Sequence, residues 1–298
     1  MSLNLEKLST ETRNRDTMDL DTMTSLEIVT AMNREDRKAP EAIEQVLPAI
    51  GAAADLAAQA LRRGGRIIYM GAGTSGRLGV LDAVECPPTF GVRPETVVGL
   101  IAGGERAFVK AVEGAEDSEQ LGEEDLREIG LQKEDFLLGI AASGRTPYVL
   151  GGLRYGMKLG CHTAALSCNR DSAIGKAAEL KIEVVPGPEV LTGSTRLKSG
   201  TCQKMILNMI STAAMVLNGK AYENLMVDVM QTNEKLRVRA QNMVMEATGV
   251  DRETAGEKLS QSEGSAKTAI TMILADCSCE EARKRLEKAK GHVREAIL

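Results

Sequence analysis

Residues 66–79 read RIIYMGAGTSGRLG, an apolar, partly β-branched run that ends abruptly in glycines. Arg66 to Met70 is the pattern of a short buried strand, and Gly71, Gly73 and Gly76 satisfy G-x-G-x-x-G at its carboxyl end. Glycine lets backbone approach an anion closely, and the helix that follows offers unpaired N–H groups and the positive end of a dipole. That physics suits a pyrophosphate and a sugar phosphate equally. Two features favour the sugar phosphate. Thr74 and Ser75 place hydroxyl donors inside the loop, and the acid expected to clasp a ribose at the end of the second strand is missing. That strand ends in Ala102, Gly103 and Gly104, with Glu105 beyond them.

Outward from this point, Thr96 to Ile101, Phe136 to Ala142, Thr163 to Ser167 and Ile182 to Val185 are further aliphatic or β-branched runs, separated by helix-like stretches. Five strands alternating with helices predict an α/β fold, a parallel doubly wound sheet whose ligands bind outside the carboxyl ends of the strands. The third run ends in AASGRTP (141–147), which repeats the Ser-Gly-Arg of the first loop and offers Ser143, Gly144 and Thr146 at a second strand-to-helix turn. After the fifth run, PGPEVLTGSTRLKSG (186–200) is a long loop carrying Thr192, Ser194 and Thr195, and it opens a helix whose apolar positions include Leu197, Met205, Ile206, Met209, Ala213 and Val216. Either Ser-Gly-Arg turn alone would read as ordinary helix capping. Two in one sheet, with the third hydroxyl-rich loop, predict a floor of neutral donors able to hold a phosphate by charge-assisted hydrogen bonds. Its members are Gly73, Thr74, Ser75, Gly76, Ser143, Gly144, Thr146, Ser194 and Thr195.

Composition narrows the classes of function. Of 298 residues, 43% are hydrophobic and 27% charged, ample for a buried core, whereas aromatics are only 2%, too few for base-stacking platforms. A formal charge of -5 gives no electrostatic footprint for nucleic acid or an anionic membrane. No apolar run is long enough to cross a bilayer and the first residues lack a signal-peptide pattern, so a cytoplasmic protein is expected. The cysteines Cys86, Cys161, Cys168, Cys202, Cys277 and Cys279 show no paired spacing and His162 and His292 are the only imidazoles, so no metal site is expected and the thiols read as packing groups. With imidazole scarce, carboxylates become the leading candidates for proton transfer.

From Glu41 to Leu61, Ala42, Ile43, Val46, Leu47, Ile50, Ala54 and Leu61 recur at helical spacing behind a polar arm. Near the carboxyl end, Ala255, Leu259, Gly264, Lys267, Ala269 and Ile270 are matched at an offset of 27 by Ala282, Leu286, Gly291, Arg294, Ala296 and Ile297. The copies GSAKTAI and GHVREAI predict a small all-α domain similar to ubiquitin-associated modules. The expected division is an arm and lead-in helix over 1–50, the α/β domain over 51–220, a connecting helix over 221–243 and the helical domain over 244–298.

Several longer stretches carry a resemblance. GAGTSGRLGVLDAVECPPTFG (71–91), GLIAGGERA (99–107), AVEGAEDS (111–118), GIAASGRTPYV (139–149), PGPEVLTGSTRLKSGT (186–201) and NLMVDVMQTNEKLRVRA (224–240) resemble the N-acetylmuramic acid 6-phosphate etherases of the sugar isomerase (SIS) superfamily, across nearly the full chain. The resemblance implies an enzyme that cleaves a D-lactyl ether in the recycling of cell-wall sugars, a homodimer, and no metal or organic cofactor. It places the family's catalytic glutamates on Glu85 of DAVECPP and Glu116 of GAED, and this chain departs from the expected pattern at Val84, Ser199 and Cys202. Pro87 and Pro88 would stiffen a loop around Glu85, and an apolar wall there would keep it neutral and ready to donate a proton. Glu116 lies among Glu113, Asp117 and Glu119, and the run EGAEDSEQLGEEDLRE (113–128) by itself reads as a solvated helix face. A sugar-phosphate-sensing regulator and an aldose–ketose isomerase are the alternative readings on the same fold.

Overall fold

In the computed structural model, which describes residues 8–110, 112–229 and 234–298, the glycine-tipped run forms strand β1 (Ile67–Gly71), buried along its whole length. It joins β2 (Val97–Ile101), β3 (Phe136–Ile140), β4 (His162–Ser167) and β5 (Leu180–Glu183) in one parallel sheet of order β2-β1-β3-β4-β5. The helices in chain order are α1 (Ser25–Asp36), α2 (Lys38–Glu44), α3 (Leu47–Arg62), α4 (Gly73–Phe90), α5 (Glu105–Val109), α6 (Glu119–Glu128), α7 (Pro147–Leu159), α8 (Ala173–Lys176), α9 (Lys198–Val216), α10 (Glu234–Thr248), α11 (Arg252–Gln261), α12 (Ala266–Leu274), α13 (Cys279–Lys288) and α14 (Val293–Ala296). Strands read as continuous apolar runs because helices cover a parallel sheet on both faces. On one face Ile68, Met70 and Leu137 pack with Leu126, Tyr148, Val149 and Leu153.

From β1 the chain turns one way to β2 and later returns on the other side as β3, so the order reverses between β1 and β3. In parallel sheets ligands bind in the crevice at the carboxyl edge where such a reversal lets the two loops diverge. At the amino edge Arg66 Nη2 meets Asp135 at 2.7 Å, and the Asp135 carboxylate also accepts Arg66 N at 2.8 Å and Gln132 N at 3.0 Å. Asp135 is buried, and removing one partner of such a pair costs about 3–5 kcal/mol.

The structure corrects three expectations. The helix expected over Glu41 to Leu61 is two helices, α2 and α3, because Val46 leaves helical geometry (φ -118, ψ 8) and Pro48, in the first turn of α3, has no N–H to continue a ladder. The polar arm holds α1, started by a capping box in which Thr24 accepts from Glu27 N and the Glu27 carboxylate accepts from Thr24 N. Residues 221–229 are irregular apart from a short bridge between Tyr222 and Leu225, and the helix in this region begins at Glu234. The expected connecting helix over 221–243 therefore overlaps α10 only in its second half, and 230–233 lie outside the described residues.

The chain divides into two compact units, the first made of the chain up to Val84 with Glu95–Ser211, and the second of Glu85–Pro94 with Thr212–Leu298. The second unit has its own core, in which Tyr222, Val227, Met243, Val244, Leu259, Ile270, Leu286 and Val293 come together. Its sequence repeat is a structural one. Asp251 and Ser278 cap α11 and α13 by accepting from Thr254 N and Glu281 N. The turns that follow use Glu263–Gly264 and Lys290–Gly291, all four with positive φ. Lys267, whose charge burial disfavours, keeps a partner in Asp228 at 2.6 Å.

Candidate active site

The glycines of the first loop divide two tasks. A Cβ on Gly71 would stand 2.8 Å from Gly76 N, and one on Gly76 would stand 2.6 Å from Gly71 O and 2.8 Å from Ile101 Cγ1, so both are bare to let α4 start directly against β1. Gly73 has open space around it but a φ of +52, so it is the residue that turns the chain. Thr74 is half-buried and its hydroxyl has no protein partner among the described residues. Ser75 is buried, and its hydroxyl donates to Gln203 Oε1 at 3.0 Å. Arg77 turns away from the loop: its Nε and Nη2 donate to Phe108 O and Ala107 O, both at 2.8 Å, closing the last turn of α5.

The loop after β3 repeats the tripeptide with different contacts. Gly144 has a φ of +72, and a Cβ there would lie 2.5 Å from Ser172 Cβ. Ser143 Oγ accepts from Arg145 N at 3.3 Å, and its own proton has no acceptor among the described residues. Thr146 stands at the N-cap of α7, yet its side chain makes no capping bond. The Arg145 side chain has no hydrogen-bond or ion-pair partner among the described residues. Buried Asn169, which sequence reasoning missed, steadies this loop by donating from Nδ2 to Ala142 O at 3.1 Å and Ser143 O at 3.4 Å. Its place just past the end of β4, where polar side chains meet the carboxyl edge, was the available signal.

Ser194 and Thr195 lie half-buried in the turn before α9, without side-chain partners among the described residues. The start of α9 is already satisfied. Glu189, buried, accepts from Lys198 N at 3.2 Å and Ser199 N at 2.9 Å, so a protein carboxylate holds the place that an anion would take at this helix end. Lys198, also buried, pairs with Glu35 and donates to Pro188 O at 2.6 Å. Burial opposes charge on Glu35, but hydrogen bonds from Lys198 and Lys38 outweigh it and hold the carboxyl below its ordinary range. Both ends of the Ser194–Thr195 loop are thereby fixed. A Cβ built on Gly200 stands 3.4 Å from Thr195 O and 3.6 Å from Thr74 Cγ2, so this loop and the first one flank the same point of α9.

The hydroxyl turns after β1 and β3 thus lie at the carboxyl ends of adjacent strands, and the Ser194–Thr195 loop shares a point of α9 with the first of them. Glu116 is exposed on the single 3-10 turn Ala115–Asp117, which packs against α7, and Val112 of the same segment lies against Gly103 at the end of β2. Glu85 belongs to the second unit and differs from expectation. It lies on helix α4, not on a loop, with Pro87 and Pro88 inside the helix, and it is exposed, so this chain by itself builds no apolar wall around it. Cys86, Cys161, Cys168 and Cys202 are buried. Burial pushes Cys161 up to about 11 and Cys202 up to about 12, and Cys168 moves upward as well, so these three stay thiols at neutral pH and act as packing groups.

An all-parallel sheet of this order, with hydroxyl-bearing turns at its switch point, defines an α/β domain of the sugar isomerase type. Residues 49–157 match the family model described as the glucokinase regulatory protein N-terminal SIS domain. Among solved structures, a phosphoheptose isomerase from Francisella tularensis shares the fold with a TM-score of 0.50 and 19% identity, covering 65% of this chain and 100% of its own. Relatives bearing the name N-acetylmuramic acid 6-phosphate etherase match end to end. The protein from Exiguobacterium sp. (strain AT1b) is 60% identical over 98% of this chain and 100% of its own. That from Pectobacterium atrosepticum is 59% identical over 100% of this chain and 98% of its own. The chain belongs to the N-acetylmuramic acid 6-phosphate etherase family.

Proposed function

We propose that this protein is a carbon–oxygen lyase that cleaves the D-lactyl ether of N-acetylmuramic acid 6-phosphate, giving N-acetylglucosamine 6-phosphate and D-lactate. The observation that carries this reading is identity of 60% to an etherase along that relative's whole length. It takes in Thr212–Leu298 with the repeat, which the regulatory-protein model over 49–157 does not reach. The phosphate is held by the hydroxyls of Thr74, Ser75, Ser143, Thr146, Ser194 and Thr195 with the backbone at Gly73, Gly76 and Gly144. Five of the six hydroxyls are half-buried side chains whose protons have no acceptor among the described residues, and a set of that kind supports anion binding by neutral donors.

An alkoxide is a poor leaving group, so the open-chain aldehyde of the substrate must help. A base removes the acidic hydrogen on carbon 2 while an acid protonates the lactyl oxygen leaving carbon 3, and an unsaturated aldehyde results. Water then adds at carbon 3 and a proton returns to carbon 2. Glu85 and Glu116 divide the acid and base duties, each worth roughly a hundredfold to ten-thousandfold in rate. Because Glu85 is exposed in the single chain, the reading includes a homodimer. Exposed apolar side chains support it, among them Leu81 and Val84 on α4 and Leu26 and Val29 on α1. The cysteines, which form no disulfide among the described residues, fit a reducing cytoplasm.

Turnover in heavy-oxygen water tests the chemistry: label is expected on carbon 3 of the sugar, with lactate keeping its ether oxygen, and label in lactate would overturn the elimination route. Glu85→Gln and Glu116→Gln are each expected to lower kcat by roughly a hundredfold or more. Full activity in both would remove the assigned roles.

A further inference from the structure

Gln203 on α9 is 1% exposed, and its Nε2 has no hydrogen-bond partner among the described residues, although Oε1 accepts from Ser75. Ser199, one turn earlier on the same face of α9, also has an unpartnered, fully buried hydroxyl. Buried polar groups without partners are expensive, on the order of 1–3 kcal/mol each, so two on one face of α9, one of them bonded to Ser75 through the same side chain, call for a role. The bond to Ser75 has a chemical consequence. A hydroxyl has a single proton, and with that proton spent on Gln203 Oε1, Ser75 turns only lone pairs toward the crevice. Lone pairs repel a phosphate.

The two ends of a glutamine amide are nearly the same size. A half-turn about the last side-chain bond puts Nε2 where Oε1 stands, 3.0 Å from Ser75 Oγ. Nε2 then donates to Ser75, Oε1 takes the place Nε2 held and becomes the amide atom without a partner among the described residues, and the Ser75 proton is released toward the anion. We propose that Gln203 is a positioning residue for sugar-phosphate binding: its amide orientation sets whether the Ser75 hydroxyl donates to the ligand. This rests on the reading that the first loop holds the phosphate. An amide serves where a carboxylate or an apolar group does not, because only the amide offers Ser75 a donor at neutral pH.

The test compares Gln203→Glu, Gln203→Met and Ser75→Ala, singly and with Gln203→Met combined with Ser75→Ala. KM and kcat are measured on N-acetylmuramic acid 6-phosphate, the inhibition constant is measured for inorganic phosphate, and thermal unfolding reports the fold. Gln203→Glu keeps the shape but can only accept, and it is expected to raise KM and weaken phosphate inhibition by roughly 10- to 100-fold, as for one hydrogen bond to a charged group, with kcat within about twofold of the parent. Gln203→Met is expected to raise KM in the parent but to add less than about twofold once Ser75 is alanine, since its effect passes through that hydroxyl. A purely structural glutamine would move the unfolding temperature and raise KM equally in both backgrounds, which overturns the proposal. It also falls if Gln203→Glu folds and binds phosphate as the parent does while Ser75→Ala does not. Should Gln203→Glu fail to fold, the methionine cycle decides alone. If Ser75→Ala itself leaves KM and phosphate inhibition unchanged, the phosphate-loop reading fails and takes this inference with it.

Discussion

The chain uses Ser-Gly-Arg twice, at 75–77 and 143–145, at the carboxyl ends of the two strands that flank the switch point, and the two copies are put to different use. In the first, serine is buried against Gln203, glycine is bare so that helix and strand can touch, and arginine is tied to the end of α5. In the second, serine closes a turn on Arg145 N, glycine supplies a left-handed φ, and the arginine side chain has no partner among the described residues. A tripeptide does not determine a role. The first copy begins inside α4, so its side chains inherit helical directions and reach α9 and α5. The second precedes Pro147, which keeps Thr146 out of helical geometry and holds the tripeptide in a loop.

The largest expected effect separates the loops by their positive-φ glycines. Gly144→Ala meets both the strain of a left-handed residue, about 1–2 kcal/mol, and overlap with Ser172, about 1–3 kcal/mol, so urea unfolding should show a loss of about 2–5 kcal/mol in all. Gly73→Ala meets open space and carries the strain alone; its loss should be about 1–2 kcal/mol. Equal losses at the two positions would mean that the tight contact of Gly144 relaxes freely.

Next in size is the pair of arginines. Arg77→Met abandons two carbonyl acceptors at the end of α5 and is expected to lower stability by about 1–2 kcal/mol, discounted from the range for charged hydrogen bonds because one of them is solvent-exposed. Arg145→Met, with no partner to lose, should stay within about 0.5 kcal/mol. Reversal of that order in thermal unfolding would break the contrast between the loops.

Much of the sheet was legible because buried parallel strands announce themselves as apolar runs ended by glycine: β1 was expected over Arg66 to Met70 and lies at Ile67–Gly71. Only β5 was misplaced noticeably, expected over Ile182 to Val185 and found at Leu180–Glu183, since Pro186 bars extension and an edge strand with Lys181 and Glu183 carries little apolar signal. The repeat was legible because its glycines, caps and small buried alanines recur at one spacing. The loop hydroxyls could be read from their position after strands. What could not be read were partners brought from afar: Gln203 to Ser75, Glu189 to the start of α9, and Lys198 to Glu35 each join residues whose types suggest ordinary helix positions. The surroundings of Glu85 were misjudged for a related reason, because two adjacent prolines read as a loop whereas α4 carries both inside its last turns.

A change in stability smaller than that of Arg77→Met is expected at Ser143, and it is the sharpest probe of what the second loop is for. Its bond to Arg145 N is long, at 3.3 Å, and only partly buried, so Ser143→Ala should lower stability by no more than about 0.5–1 kcal/mol. The hydroxyl proton, unlike that of Ser75, has no acceptor among the described residues. Its removal should therefore appear in ligand binding: KM for the phosphorylated sugar is expected to rise roughly tenfold, as for loss of one charge-assisted hydrogen bond, while the unfolding temperature barely moves. A Ser143→Ala protein that unfolds as early as Arg77→Met and keeps its KM would show the reverse, a serine kept to close a turn, and the two loops would then differ only in shape and not in what they offer an anion.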